Sequence, residues 1–219
     1  MSSDKDRGRD FQEEELAFFG AVTASISHDL NNAIAIIEQT AGLLEDLTMA
    51  NDGGQPVPNE QLQNIAQRIA NQTKRGATIV RRLNAFAHSV DEDDKELELN
   101  ALVKTVIALA HRVAERKRVT VETCLPAQPV TIRNNAFRVQ QAVFLSIQRA
   151  VDATQEEETI VLSTGTGDTS AWISVDAKIP DDSPPANGTD LESLMNQIGG
   201  KVESNIDGST LSSRLVFPT

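Results

Sequence analysis

Two seven-residue ladders of apolar and small side chains run from Glu13 to about Thr48. One is Leu16, Thr23, Leu30, Ile37 and Leu44; the other is Phe19, Ile26, Ala33, Thr40 and Leu47. Together they form an a/d seam kept over about four heptads, the pattern of a bundle or coiled-coil helix. No proline interrupts the stretch, and its only glycines are Gly20 and Gly42. NDGGQPVP (residues 51–58) reads as a loop, and Asn59 can cap a second helix. That helix repeats the pattern with Leu62, Ile69, Gly76, Leu83 and Val90 beside Ile65, Gln72, Ile79 and Phe86. Residues 1–13 are polar and charged and read as a flexible tail.

Charge separates the two helices. The first carries seven acidic residues and no Lys or Arg; the second carries Arg68, Lys74, Arg75, Arg81 and Arg82 against Glu60. An acidic and a basic helix joined by a short loop predict an antiparallel hairpin with complementary flanks, over residues 14–95. One hairpin cannot bury both of its seams. A homodimer that closes a four-helix bundle is the economical solution.

An acidic hinge, Asp91–Asp94 with Glu96 and Glu98, marks a change of period. Residues 97–115 are helical by spacing, and 119–123 alternate as a strand. Residues 130–132 read as a short strand and 136–153 as a helix. Strands at 159–164 and 171–176 make a hairpin, and a short helix at 191–198 precedes strands at 201–204 and 211–217. Residues 96–219 therefore predict an α/β sandwich with mostly non-parallel strands, and the chain as a whole is α+β.

Composition narrows the function. The 219 residues are 39% hydrophobic and 24% charged, enough for a packed core. A net charge of −12, one Trp and no Tyr argue against nucleic acid, which needs cations and stacking platforms. No apolar run is long enough to span a bilayer, and the charged N-terminus has no secretory core, so no membrane partner and a cytoplasmic location are expected. The lone Cys124 suits a reducing compartment and excludes a cysteine-clustered zinc site.

One cluster carries chemistry. His28 lies in SISHDLNNAI between the seam positions Ile26 and Leu30, which puts it on the outer face of the helix. Asp29 follows it, and Asn32 lies one turn on along the same face. A carboxylate beside an imidazole can hold one tautomer and raise the basicity of the other nitrogen. An amide one turn away can bond a phosphoryl oxygen. These are parts for moving a phosphoryl group onto or off nitrogen. His88 and His111 lack such neighbours and read as structural or surface residues.

AVTASISHDLNNAIAII resembles the phosphoacceptor box of two-component histidine kinases, a helical H-[D/E]-x-x-[N/T]. The segment ending RGATIVRRLNAFA resembles the second helix of the kinase dimerisation domain. ELELNALVKTVIALAHRVAERKRVTVETCLP resembles the start of the kinase ATP-binding domain. NNAFRVQQAVFLSIQRAVDA resembles its N-box helix, and LMNQIGGKVESNIDGSTLSSRLVFP its last helix and hairpin. The likeness runs from about Glu14 to Pro218.

The departures are specific. Leu145 and Arg149 stand where the family places the asparagines that hold magnesium and phosphates. In ISVDAKIPDD, Asp176 matches the adenine-binding aspartate, but the glycines that follow it are missing. DSPPANGTDLESL is too short for the glycine-rich lid and holds only Gly188. Backbone needs glycine to approach phosphate closely. The resemblance thus implies a histidine phosphotransferase descended from a kinase, with a degenerate ATPase-like domain that binds no ATP.

In such a protein His28 carries the phosphoryl group, Asp29 orients or deprotonates the imidazole, and Asn32 supports in-line geometry. The partners are response-regulator receiver domains, which bring their own aspartate and Mg²⁺, so this chain needs no cofactor or metal of its own. Asn31, Ala35 and Glu38 follow His28 on the outer face of the helix, where the resemblance implies that a receiver docks. Lys74, Arg75, Arg81 and Arg82 lie on the second helix, where their charge can steer an acidic receiver. A divergent kinase, a receiver phosphatase and a non-catalytic dimeric scaffold are the alternatives.

Overall fold

The computed structural model describes residues 3–50, 56–90, 93–180 and 189–219. The greater part of the expected loop at 51–58, Asp91 and Glu92 of the hinge, and residues 181–188 at the position of the lid lie outside the described residues. The chain divides into two compact units. One is Thr23–Phe86; the other combines the chain up to Val22 with Ala87–Thr219.

The first unit is the helical hairpin. Helix α1 spans Ser3–Ala50 and α2 spans Asn59–Ser89. Helix α1 therefore reaches back into the segment expected to be a tail, where no proline stops it. Ile26, Ala33, Ile65, Ile79 and Phe86 are buried between the helices, and Leu30 packs against Gly76. Thr40 is a polar member of the seam, and its hydroxyl donates to Ile36 O at 2.6 Å. At the start of α2, Pro58 O accepts from Gln61 N and Leu62 N, so Asn59 begins the helix rather than capping it.

The second unit is a two-layer α/β sandwich. After β1 (Lys95–Glu98) come α3 (Leu99–Arg116), β2 (Thr120–Cys124), β3 (Thr131–Asn134) and α4 (Ala136–Ala153). Next are β4 (Thr159–Thr166), β5 (Ser170–Lys178), α5 (Thr189–Gln197), β6 (Lys201–Asp207) and β7 (Thr210–Pro218). The main sheet has the order β2-β4-β5-β7-β6; only β2 and β4 run parallel. A second sheet pairs β1 with β3 antiparallel.

Strand β1 replaces part of the expected hinge. Leu97 is buried in it while its neighbours Glu96 and Glu98 face outward or half outward. The Glu98 carboxylate then accepts from Asn100 N at 2.8 Å and Ala101 N at 2.7 Å, which caps α3. The acidic run therefore ends as a strand leading into a helix cap.

Alternation along β5 sorts its side chains between the two sheet faces. Ile173, Val175 and Ala177 fill the face that packs under α4. Trp172, Ser174 and Asp176 take the opposite face, where the Arg214 guanidinium stacks 4.4 Å from the Trp172 ring centroid.

Candidate functional site

His28 sits mid-helix, and α1 holds its backbone in place. Its side chain is 42% exposed and that of Asp29 25%. Asn32 Nδ2 lies 3.3 Å from His28 Nδ1, and Asp29 Oδ1 lies 3.9 Å from the same nitrogen. Both partners of the imidazole are thus on the Nδ1 side. The amide is within hydrogen-bond reach. The carboxylate is beyond it but close enough to act by charge. With the proton on Nε2, Asn32 donates to Nδ1. With the proton on Nδ1, the Asp29 carboxylate favours that tautomer, the Asn32 amide turns so that its Oδ1 accepts from Nδ1–H, and Nε2 presents a lone pair.

The Leu30–Gly76 contact fixes the level of α2 against α1: a Cβ at Gly76 would lie 3.6 Å from Leu30 Cδ1. Stepping two residues back along α1 and two forward along the antiparallel α2 brings His28 level with Thr78. Lys74 and Arg75 then lie within about a turn on one side of that level, and Arg81 and Arg82 within about a turn on the other. All four cations are exposed. Among the described residues none of them is within 4.0 Å of a carboxylate, so the expected complementary flanks do not form ion pairs.

Arg81 is nevertheless anchored. Its Nη2 donates to Thr78 Oγ1 at 2.9 Å, and the Thr78 hydroxyl donates to Lys74 O at 3.0 Å. Thr78 is absent from the residues that the sequence points to; its only signal there is a hydroxyl three residues before an arginine. Asn31, Ala35 and Glu38 are exposed on α1 beyond His28. His88 and His111 are exposed as well.

The residues compared with a nucleotide site do not converge. Leu145 and Arg149 are half-buried on α4, which covers one face of the main sheet. Asp176 lies on the other face, where Ser174 Oγ is 3.1 Å from both of its carboxylate oxygens and 3.4 Å from Ser212 Oγ. A single residue of register decides this, since neighbouring strand positions point to opposite faces. Ala177 takes the inward place beside Val175. Asp176 therefore cannot reach a ligand held by α4 across the sheet.

Residues 20–91 match the model of the His Kinase A (phospho-acceptor) domain. No curated protein matches the sequence. Among solved structures, the catalytic domain of histidine kinase ThkA aligns at a TM-score of 0.50 and 19% identity, over 58% of this chain and 96% of that one. Acinetobacter baumannii histidine kinase AdeS aligns at 0.50 and 13% identity, over 87% of this chain and 97% of that one. No described helix is long and apolar enough to cross a membrane. Residues 20–91 are thus similar to a His Kinase A phospho-acceptor domain, and the chain also carries the fold of a histidine-kinase catalytic domain.

Proposed function

We propose that this chain is a two-component phosphorelay protein that takes a phosphoryl group onto His28 from one response-regulator receiver and gives it to another, without using ATP. The observation that carries this reading is the geometry at His28: Asn32 and Asp29 both stand at Nδ1, and the exposed ring leaves Nε2 for a partner. The receiver supplies a phospho-aspartate together with its Mg²⁺, which neutralises the phosphoryl oxygens.

The Nε2 lone pair attacks phosphorus, and the acyl phosphate P–O bond breaks. The receiver's aspartate leaves as a carboxylate. The imidazole that results carries its proton on Nδ1, where Asp29 offsets the positive charge. Transfer to a second receiver is the reverse, with that receiver's carboxylate as nucleophile. Little covalent chemistry falls to the protein beyond positioning and charge. A homodimer gives the half-buried ladder Thr23, Leu30, Ile37 and Leu44 a partner.

The ATP-independent part of the reading is supported by Asp176 and α4 lying on opposite faces of the sheet. The test is incubation of the full chain with a ³²P-labelled phospho-receiver and, separately, with labelled ATP and Mg²⁺. Acid-labile label is expected from the receiver and not from ATP, and none on His28→Gln. Label from ATP would restore the kinase. Loss of receiver label without label on this chain would make it a phosphatase, and an unchanged receiver would leave only a scaffold.

A further inference from the structure

The main sheet ends in two edge strands, β2 and β6. Strand β6 pairs with β7 on one side, and among the described residues no strand pairs with its other side. All of its residues except Val202 are exposed. Such an edge is a ready template for another strand, because its outward N–H and C=O groups bond only to water. Ile206 adds an apolar side chain that is 43% exposed. It lies opposite Leu211, and Val202 lies opposite Leu215; both partners are buried, so Val202 and Ile206 belong to the core face of the sheet. Lys201, Glu203, Asn205 and Asp207 alternate onto the other face.

The order of these side chains selects a second copy of the same strand. Two antiparallel β6 strands related by a two-fold axis at Ser204 place Lys201 of one opposite Asp207 of the other, Val202 opposite Ile206, and Glu203 opposite Asn205. By symmetry each of these pairs forms twice. The charged pair is of opposite sign, and the apolar pair meets on the core side. Moving the axis by one residue destroys the match: at Glu203 that carboxylate faces itself, and at Asn205 it faces Asp207. Strand β2 shows the contrast, since an axis at its centre sets the exposed Glu122 against itself. Charges on an edge strand commonly block pairing. Those of β2 do so, whereas those of β6 complement their own copy. Lys201 already has a neighbour on its own strand, with Nζ 2.5 Å from Glu203 Oε1. The ammonium carries further donors for Asp207 of the second copy.

We infer that β6 is a homotypic docking edge: it pairs antiparallel with β6 of a second copy about Ser204, joining two sandwiches through one continuous sheet. The contact uses a different surface from the hairpin and needs neither nucleotide nor phosphoryl transfer. Its test is therefore independent of the relay reading.

The experiment is oxidative cross-linking of the full chain at micromolar concentration, with Cys124→Ser as background to remove the exposed native thiol. Ser204→Cys should form a disulfide between copies, since the two Cβ atoms lie about 5 Å apart across the axis. Val202→Cys alone should not, because its equivalent in the second copy lies about 14 Å away. Mixed with Ile206→Cys it should give the disulfide between the two variants. Adding Asp207→Lys to Ser204→Cys sets like charges opposite each other twice and should lower the yield about tenfold. Adding Lys201→Asp as well should restore it. No disulfide in Ser204→Cys would overturn the proposal. So would equal self-linking by Val202→Cys, which marks random collision, or an Asp207→Lys loss that Lys201→Asp fails to reverse.

Discussion

Leu30 and Gly76 meet face to face across the hairpin, and that one contact sets the level of every residue on α2 against His28. A Cβ at position 76 would lie at ordinary van der Waals distance from Leu30. Glycine inside a helix costs about 1 kcal/mol relative to alanine. Gly76→Ala should therefore raise the stability of the hairpin by about 0.5–1 kcal/mol with no change of register, seen as a higher midpoint in thermal unfolding. A fall in stability would mean that a second hairpin approaches Gly76 more closely than Leu30 does.

Apolar side chains left exposed on the hairpin predict a dimer. Ile34, Leu43, Leu62 and Val80 are 44%, 42%, 38% and 41% exposed in the single chain. Side chains of this kind on a hairpin call for a second copy. Light scattering at micromolar concentration should give twice the chain mass of 23.7 kDa. A truncated hairpin of residues 14–90 should keep the dimer, and a monomer in either case would remove the bundle from the relay scheme.

Asp29 and Asn32 both stand at Nδ1 of His28, one within hydrogen-bond reach and one beyond it. Asp29→Asn removes the charge that favours the Nδ1-protonated tautomer and should slow transfer by about ten- to a hundredfold, the usual cost of losing an orienting partner. Asn32→Ala removes an amide on an exposed helix face and should leave the melting temperature unchanged while slowing transfer less. Rapid-quench kinetics with a phospho-receiver would rank the two, and equal, negligible effects would detach both from the chemistry.

Much of this arrangement is legible in the sequence because it rests on periodicity. The ladders that place Ile26, Ala33 and Ile79 inward are long, and a long repeat tolerates a polar member such as Thr40. The acidic run before α3 is harder to read. Charge suggests a hinge, and only the cap made by Glu98 reveals that the chain there is a strand turning into a helix. Asp176 can be matched to a family position, but its face cannot be read, because a shift of one residue reverses a strand. Phe18 gives a faint signal: two adjacent aromatics cannot both face one seam, so the one outside the ladders needs another partner.

Glu157 and Arg118 hold left-handed backbone, with φ of 66° and 56°, and Glu157 N donates to Arg118 O at 3.0 Å. Neither is a glycine, so each is strained. Glu157 is exposed, and its replacement removes no buried contact. Glu157→Gly should stabilise the sandwich by about 0.5–1 kcal/mol, whereas Glu157→Val should destabilise it, because a β-branched side chain fits that conformation worst. Denaturant unfolding of the full chain would read both.

The basic residues of α2 provide the sharpest test of partner docking. Lys74, Arg75, Arg81 and Arg82 bracket the level of His28, are exposed, and make no ion pair among the described residues. Surface pairs contribute little to stability in any case, so removing these cations should leave the fold intact. If they steer an acidic receiver, Arg81→Ala with Arg82→Ala should slow phosphotransfer onto His28 chiefly through the association rate. The effect should be largest at low salt and fade as screening shortens the reach of charge. Thr78→Val isolates the geometry from the charge. It keeps all four cations but releases the Arg81 guanidinium from the hydroxyl that holds it at 2.9 Å. A variant slowed at every ionic strength would mean that the anchored orientation of Arg81 matters beyond its field. A variant with normal transfer would leave steering as the whole role. If both variants transfer normally at low salt, receivers dock elsewhere, and the exposed stretch Asn31, Ala35 and Glu38 is the next surface to change.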